Sequence, residues 1–232
     1  VTSFFDQELQ QLIFNSLNIV KREDIYPSNE SYSLNTSSCV DMYSTTIYHE
    51  KQVRELCALH ALNNLFQMKE FTKEELDSIC YSLSPDVWIN PHKSILGLGN
   101  YDINVLMKAL QSRGYEAIWF DKRRDPNCIN LQNIFGFILN IPSEYKVSFI
   151  TLPLRRRHWI AIRQINGNYY NLDSKLDSPY ILGKDINVIE YLKDELGKKD
   201  KQLFLVVDEE RAENQDWLLK NSSSCCSRNL QE

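Results

Sequence analysis

A chain of 232 residues suffices for one domain with a substantial core and falls short of two large ones. Hydrophobic residues make up 43% and charged residues 25%, the composition of a globular protein. The formal net charge of -5 argues against a nucleic-acid partner, whose phosphates require a basic face. No stretch is apolar and long enough to cross a bilayer.

Residues 1 to about 20 predict one amphipathic helix, with Phe5, Leu9, Leu12, Ile13 and Leu17 on one face. Ser3 and Asp6 form a variant capping box at its start. Residues 24 to 46 are rich in Ser, Asn, Thr and Tyr without an apolar period, so 1–46 reads as a helix-and-linker extension. Residues 47–208 carry the main domain. A helix runs from Cys57 to about Gln67, burying Ala58, Ala61, Leu62, Leu65 and Phe66. A second starts at Thr72, where Thr72 and Glu75 form a capping box and Phe71 with Leu76 a hydrophobic staple. A loop with Pro85, Pro91, Gly97 and Gly99 follows. The third helix spans 102 to 113, with Gly114 at its C-terminal cap.

Strands then dominate. Residues 115–120 and 136–141 are short apolar runs. Residues 158–164 and 168–173 flank Asn166-Gly167, the strongest two-residue hairpin signal. A helix over 187–196, closed by Gly197, precedes a strand over 203–207. Helices first and strands later define an α+β class with an antiparallel or mixed sheet. The segment 209–232 reads as a C-terminal tail, frayed after Glu210.

Six cysteines, Cys39, Cys57, Cys80, Cys128, Cys225 and Cys226, lack a CxxC pair or zinc-finger spacing. Free thiols in a reducing, cytoplasmic location are expected, with no metal and no cofactor. Cys225 and Cys226 are read as exposed thiols, with lipidation as the alternative. Cys57 stands apart because it opens a helix, where unpaired N–H groups and the positive dipole end favour a thiolate. A free cysteine is more often simply a small buried hydrophobe. The hairpin shifts the balance. An Asn166-Gly167 loop sets His158 opposite Lys175 and Ile160 opposite Asp173. His158 and Asp173 are then diagonal neighbours on one face, about 7–8 Å apart at the backbone.

A helix-start thiol with a His–Asp pair on a strand is the constellation of papain-like cysteine proteases. Acyl transfer also requires a donor for the developing oxyanion. Gln52, five residues before Cys57, is a candidate together with the Cys57 N–H. His60 is a rival base, three residues along the same helix, or a packed helix histidine. His49 and His92 read as loop residues, and Trp159 as a core anchor or cleft wall. Lys122-Arg123-Arg124 and Arg155-Arg156-Arg157 read as solvated loop ends.

The strings Ile47-Tyr-His-Glu-Lys-Gln52, Glu55-Leu-Cys57-Ala-Leu-His-Ala-Leu-Asn-Asn64, His158-Trp-Ile160 and Tyr169-Tyr-Asn-Leu-Asp173-Ser174 resemble the Josephin-domain deubiquitinases. Gly99-Asn-Tyr-Asp-Ile-Asn104, Lys108-Ala-Leu110 and Asp121-Lys-Arg-Arg124 are closest to the small single-domain members. The resemblance covers 47–208. It implies a papain-like fold and a thiol-dependent hydrolase acting on ubiquitin and ubiquitinated proteins. It further implies Cys57 as nucleophile, His158 as general base and acid, Asp173 as its orienting residue and Gln52 as oxyanion donor.

Overall fold

The computed structural model describes residues 46–53, 56–85, 92, 101–147 and 150–220, with backbone alone for 144–147 and 150–156. The chain divides into two units, Val1–Ser44 and Thr45–Glu232. The first unit lies outside the described residues, and with it the helix and most of the linker expected over 1–46. The loop residues Pro91, Gly97 and Gly99 and the pair Cys225 and Cys226 lie outside them too.

Among the described residues three helices come first: α1 (Cys57–Phe66), α2 (Lys73–Leu83) and α3 (Ile103–Gln111). Six strands follow: β1 (Tyr115–Phe120), β2 (Gly136–Val147), β3 (Ile150–Ile165), β4 (Asn168–Asn171), β5 (Tyr180–Gly183) and β6 (Gln202–Asp208). Helix α4 (Asp185–Gly197) joins β5 to β6, and α5 (Glu209–Glu213) follows β6. The strands form one sheet in the order β1-β6-β2-β3-β4-β5, antiparallel throughout. The α+β class read from the sequence is therefore the observed one.

Period-2 alternation divides the core. Ile138, Ala161, Phe204 and Val206 face the helices α1 to α3. Their neighbours Phe137, Leu139, Ile160, Ile162, Leu203, Leu205 and Val207 face α4 and Trp217. Both sheet faces are covered, so each strand alternates between two apolar environments rather than between core and water. Helix α1 is more deeply buried than a single stripe predicts: every residue from Cys57 to Leu65 is buried. It lies close against the sheet because Gly136 carries no side chain. A Cβ there would come within 2.4 Å of Leu65 Cδ1 and 2.8 Å of the Ile162 carbonyl.

Local signals work as chemistry demands. Thr72 caps α2, its hydroxyl accepting from the Glu75 N–H at 3.2 Å. Glu75 accepts from Arg113 at 2.9 Å. Asp102 caps α3 through the N–H groups of Asn104 and Val105. Gly114 follows with φ 75°, the left-handed region open to glycine. In the β3–β4 hairpin Asn166 and Gly167 both have positive φ, which the tight two-residue turn requires. The register is the expected one, with Ile162 opposite Asn171 and Gln164 opposite Tyr169.

The structure corrects four readings. Strands β2 and β3 run on to Val147 and Ile150, so Arg155-Arg156-Arg157 belongs to a strand rather than a loop end. Pairing of β2 with β6 stops at Asn140, leaving Pro142 on a two-stranded extension where a missing N–H is tolerated. Helix α4 starts at Asp185, ahead of the expected 187, and takes in Gly197 as its last residue. β5 was not expected, and residues 209–220 are folded rather than frayed. Asp208 caps α5, Trp217 is buried, and Leu218 bridges to Ile129.

Candidate active site

Helix α1 starts at Cys57 without a side-chain cap, and the thiol is only 3% exposed. β4 ends at Asn171, but the register persists one step further, with the Leu172 N–H donating to the Ala161 carbonyl at 2.8 Å. The chain then turns at Asp173. The Asp173 N–H donates to Asn171 Oδ1 at 2.9 Å, and the Lys175 N–H donates to Asp173 Oδ1 at 2.9 Å. This turn aims the carboxylate back at β3, where Asp173 Oδ1 lies 2.6 Å from His158 Nε2. The ladder thus ends before the expected Ile160–Asp173 and His158–Lys175 pairs, and it is the turn after β4 that brings the carboxylate into direct contact with His158.

Cys57 is the second hydrogen-bonding neighbour of the His158 ring. With Nε2 facing Asp173, Nδ1 is the ring nitrogen left for the thiol. Burial pushes His158 down, but Asp173 and Cys57 together outweigh it and hold the ring above its ordinary value. Burial likewise pushes Asp173 up, and the His158 hydrogen bond, with help from Lys175, holds it below the usual carboxylate range. A thiol, an imidazole and a carboxylate in series can pass a proton from sulfur to ring while the carboxylate steadies the cation that forms.

Gln52 sits beside this series. Its main-chain N–H donates to the Ser174 carbonyl at 2.7 Å, so it is tied to the residue after Asp173. The other histidines are engaged elsewhere. His60 Nε2 accepts from the Val53 N–H at 3.2 Å and its Nδ1 lies 2.6 Å from Glu50 Oε2. His49 is no idle loop residue: its Nε2 is 3.0 Å from the Asp173 carbonyl oxygen. His92 pairs with Asp102 at 2.8 Å at the head of α3. Trp159 is a core anchor, its indole N–H donating to the Tyr101 carbonyl at 3.0 Å.

Sequence reasoning missed Glu50, Asn63, Asn64 and Ser174 around the site. The signal available was a pair of asparagines inside the apolar helix run Cys57-Ala-Leu-His-Ala-Leu-Asn-Asn64. A second concavity, about 810 Å³ between β1 and the segment after β6, is lined by Ile118, Trp119, Arg124, Glu213 and Trp217. None of its lining residues is a cysteine, serine or histidine.

An α+β fold with a cysteine at the head of its central helix and a His–Asp pair on the sheet is papain-like. The Josephin family model matches residues 52–207. The chain is 55% identical over 179 residues to a Josephin-like protein of Drosophila melanogaster, covering 75% of this chain and 80% of that one. It is 49% identical over 173 residues to Josephin-2 of Homo sapiens, covering 75% and 92%. Identity to human Ataxin-3 is 24% over 143 residues, covering 59% of this chain and 39% of the relative. This chain belongs to the Josephin family.

Proposed function

We propose that the protein is a thiol-dependent deubiquitinase, hydrolysing peptide or isopeptide bonds at the C-terminus of ubiquitin in conjugates or chains. Cys57 attacks the carbonyl while its proton passes to His158 Nδ1. His158 then protonates the leaving amine, and Asp173 holds the ring in the required orientation. Gln52 and the Cys57 N–H stabilise the oxyanion. Water, activated by His158, releases the ubiquitin carboxylate. The observation that carries this reading is the His158 ring held between Asp173, at 2.6 Å, and Cys57. Family membership supports the substrate class. The depth of Cys57 suits a thin extended acyl chain, which a ubiquitin tail is.

A ubiquitin bearing a C-terminal electrophile tests the proposal. One covalent adduct is expected, mapped by peptide mass to Cys57, with none in Cys57→Ala. Labelling spread over several cysteines overturns it. So does a lack of adduct while iodoacetamide still modifies Cys57.

A further inference from the structure

His60 and Glu50 do not touch the reacting atoms in the mechanism above, yet both are drawn into one hydrogen-bonded cluster beside them. His60 is 7% exposed, one turn after Cys57 on α1. A main-chain N–H can only donate, so the Val53 N–H forces His60 Nε2 to accept, which places the ring proton on Nδ1. That proton points at Glu50 Oε2, 2.6 Å away. The other Glu50 oxygen accepts from Asn63 Nδ2 at 3.0 Å and from the Tyr48 hydroxyl. The Glu50 N–H donates to Asn64 Oδ1 at 2.6 Å. Burial pushes the Glu50 carboxyl up, but the bonds from His60, Tyr48 and Asn63 hold it below its ordinary range, so the acceptor is ionised at neutral pH.

These bonds fall on either side of one residue. Residue 50 is tied to α1 through Asn63, Asn64 and His60, and residue 53 through His60. Between them the Gln52 N–H is tied to the Ser174 carbonyl. The short extended segment 50–53 is therefore suspended between the helix that begins with Cys57 and the turn that carries Asp173. Main-chain hydrogen bonds fix direction as well as distance, which apolar packing does not.

We propose that His60 and Glu50 are positioning residues that hold Gln52 in register with Cys57, His60 acting through the Val53 N–H and Glu50 by fixing the His60 tautomer. His60 is thereby removed as a rival base, because its only basic nitrogen is occupied by the main chain. The proposal rests on the reading of Gln52 as oxyanion donor. A displacement of about 1 Å at such a group costs on the order of 10²-fold in rate.

The test uses ubiquitin with a fluorogenic C-terminal amide, the whole chain, and kcat and KM measured separately. His60→Ala is expected to lower kcat by about 10–10²-fold with KM within about 2-fold, because the donor acts on charge present only in the transition state. Its rate of iodoacetamide modification at Cys57 stays within about 2-fold of wild type, since thiol and base are untouched. In a Gln52→Ala background the same change costs less than about 2-fold, because the group being positioned is gone. Glu50→Gln, which keeps size and loses charge, is expected to give a smaller kcat loss with the same non-additivity. It also serves if His60→Ala fails to fold. Losses that multiply in the double variants overturn the inference. A parallel fall in kcat and iodoacetamide rate also overturns it, returning His60 to the thiol's own machinery. An unchanged kcat in Gln52→Ala alone instead overturns the assignment of Gln52 on which the inference stands.

Discussion

The core beneath α4 is almost wholly hydrocarbon, from Phe137 and Leu139 through Ile160 and Ile162 to Leu203, Leu205 and Val207. Its main buried charge, Glu195, is neutralised at the end of α4 by Lys198 and Lys201. The core beneath α1 packs as many large apolar side chains, yet α1 buries His60, Asn63 and Asn64 among them. Each of the three is bonded: Asn63 to the Phe71 main chain, Asn64 to the Leu172 carbonyl at 3.0 Å, His60 to Val53 and Glu50. One face needs only to be filled. The other must also hold two segments outside the sheet, 48–53 and 172–174, in fixed directions. Buried polar groups are costly when unpaired and rigid when satisfied, so they collect where direction matters.

Substitutions on the two faces should therefore separate activity from stability. The largest effect is expected for Cys57→Ala: turnover falls by about 10³-fold or more while the thermal midpoint stays near wild type. Leu205→Ala on the opposite face should do the reverse, costing about 2–5 kcal/mol in urea unfolding with kcat per folded molecule unchanged. Steady turnover by folded Cys57→Ala would break the comparison at once.

His158→Ala should lower kcat by about 10²–10⁴-fold. At its partner, Asp173→Asn should keep more activity than Asp173→Ala, because an amide oxygen can still accept the ring N–H. Equal losses in the two Asp173 variants would deny it an orienting role.

Asn64→Leu tests whether polarity in the α1 core is structural as well. It strands the Leu172 carbonyl and the Glu50 N–H, each worth about 1–3 kcal/mol when left unsatisfied. Urea unfolding should register a loss of that order. A Leu that packs at no cost would show the network to be dispensable for folding.

The His158–Asp173 pair adds a pH signature. His158 is raised in the folded state, so its contribution is complete below about pH 6.5 and fades as pH climbs past the raised value. Asp173 is lowered, so its contribution is complete above about pH 4 and fades as pH falls through the lowered value. Between about pH 6 and 8 the midpoint of wild type should fall more steeply than that of Asp173→Asn, in which the carboxylate's upward pull on His158 is lost while burial and Cys57 still act. Parallel profiles for the two proteins would contradict the pair.

The smallest effect belongs to Ser174→Ala. Ser174 is buried, its hydroxyl finds no partner among the described residues, and its carbonyl serves Gln52. Removing the hydroxyl should be neutral or stabilising by up to about 1 kcal/mol in the same unfolding assay.

Much of this was readable locally. The apolar stripe of α1, the Gly114 cap of α3, the apolar run of β1, the Thr72 cap and the Asn166-Gly167 turn are each decided within a few residues. β5 was not readable, since Tyr180 and Ile181 are exposed on an edge strand and carry no core pattern. Trp217 gave no period, because the partners of its segment are distant in the chain: its carbonyl accepts from the Asn130 N–H, and Leu218 bridges to Ile129. The roles of Asn63 and Asn64 were not readable either, for nothing in a linear pattern tells a solvated amide from one bonded inside the core.

By itself the sequence determined the hairpin register that carries His158 and Asp173 toward one another, because a two-residue turn fixes which residues of the two strands pair. It also determined that Cys57 opens a helix. Only the tertiary structure decided that the helix start reaches the His158 ring, and that segment 50–53 hangs between α1 and the Asp173 turn. Those contacts join stretches far apart in the chain. They depend on how closely α1 beds against the sheet at Gly136, a packing distance that no local pattern encodes.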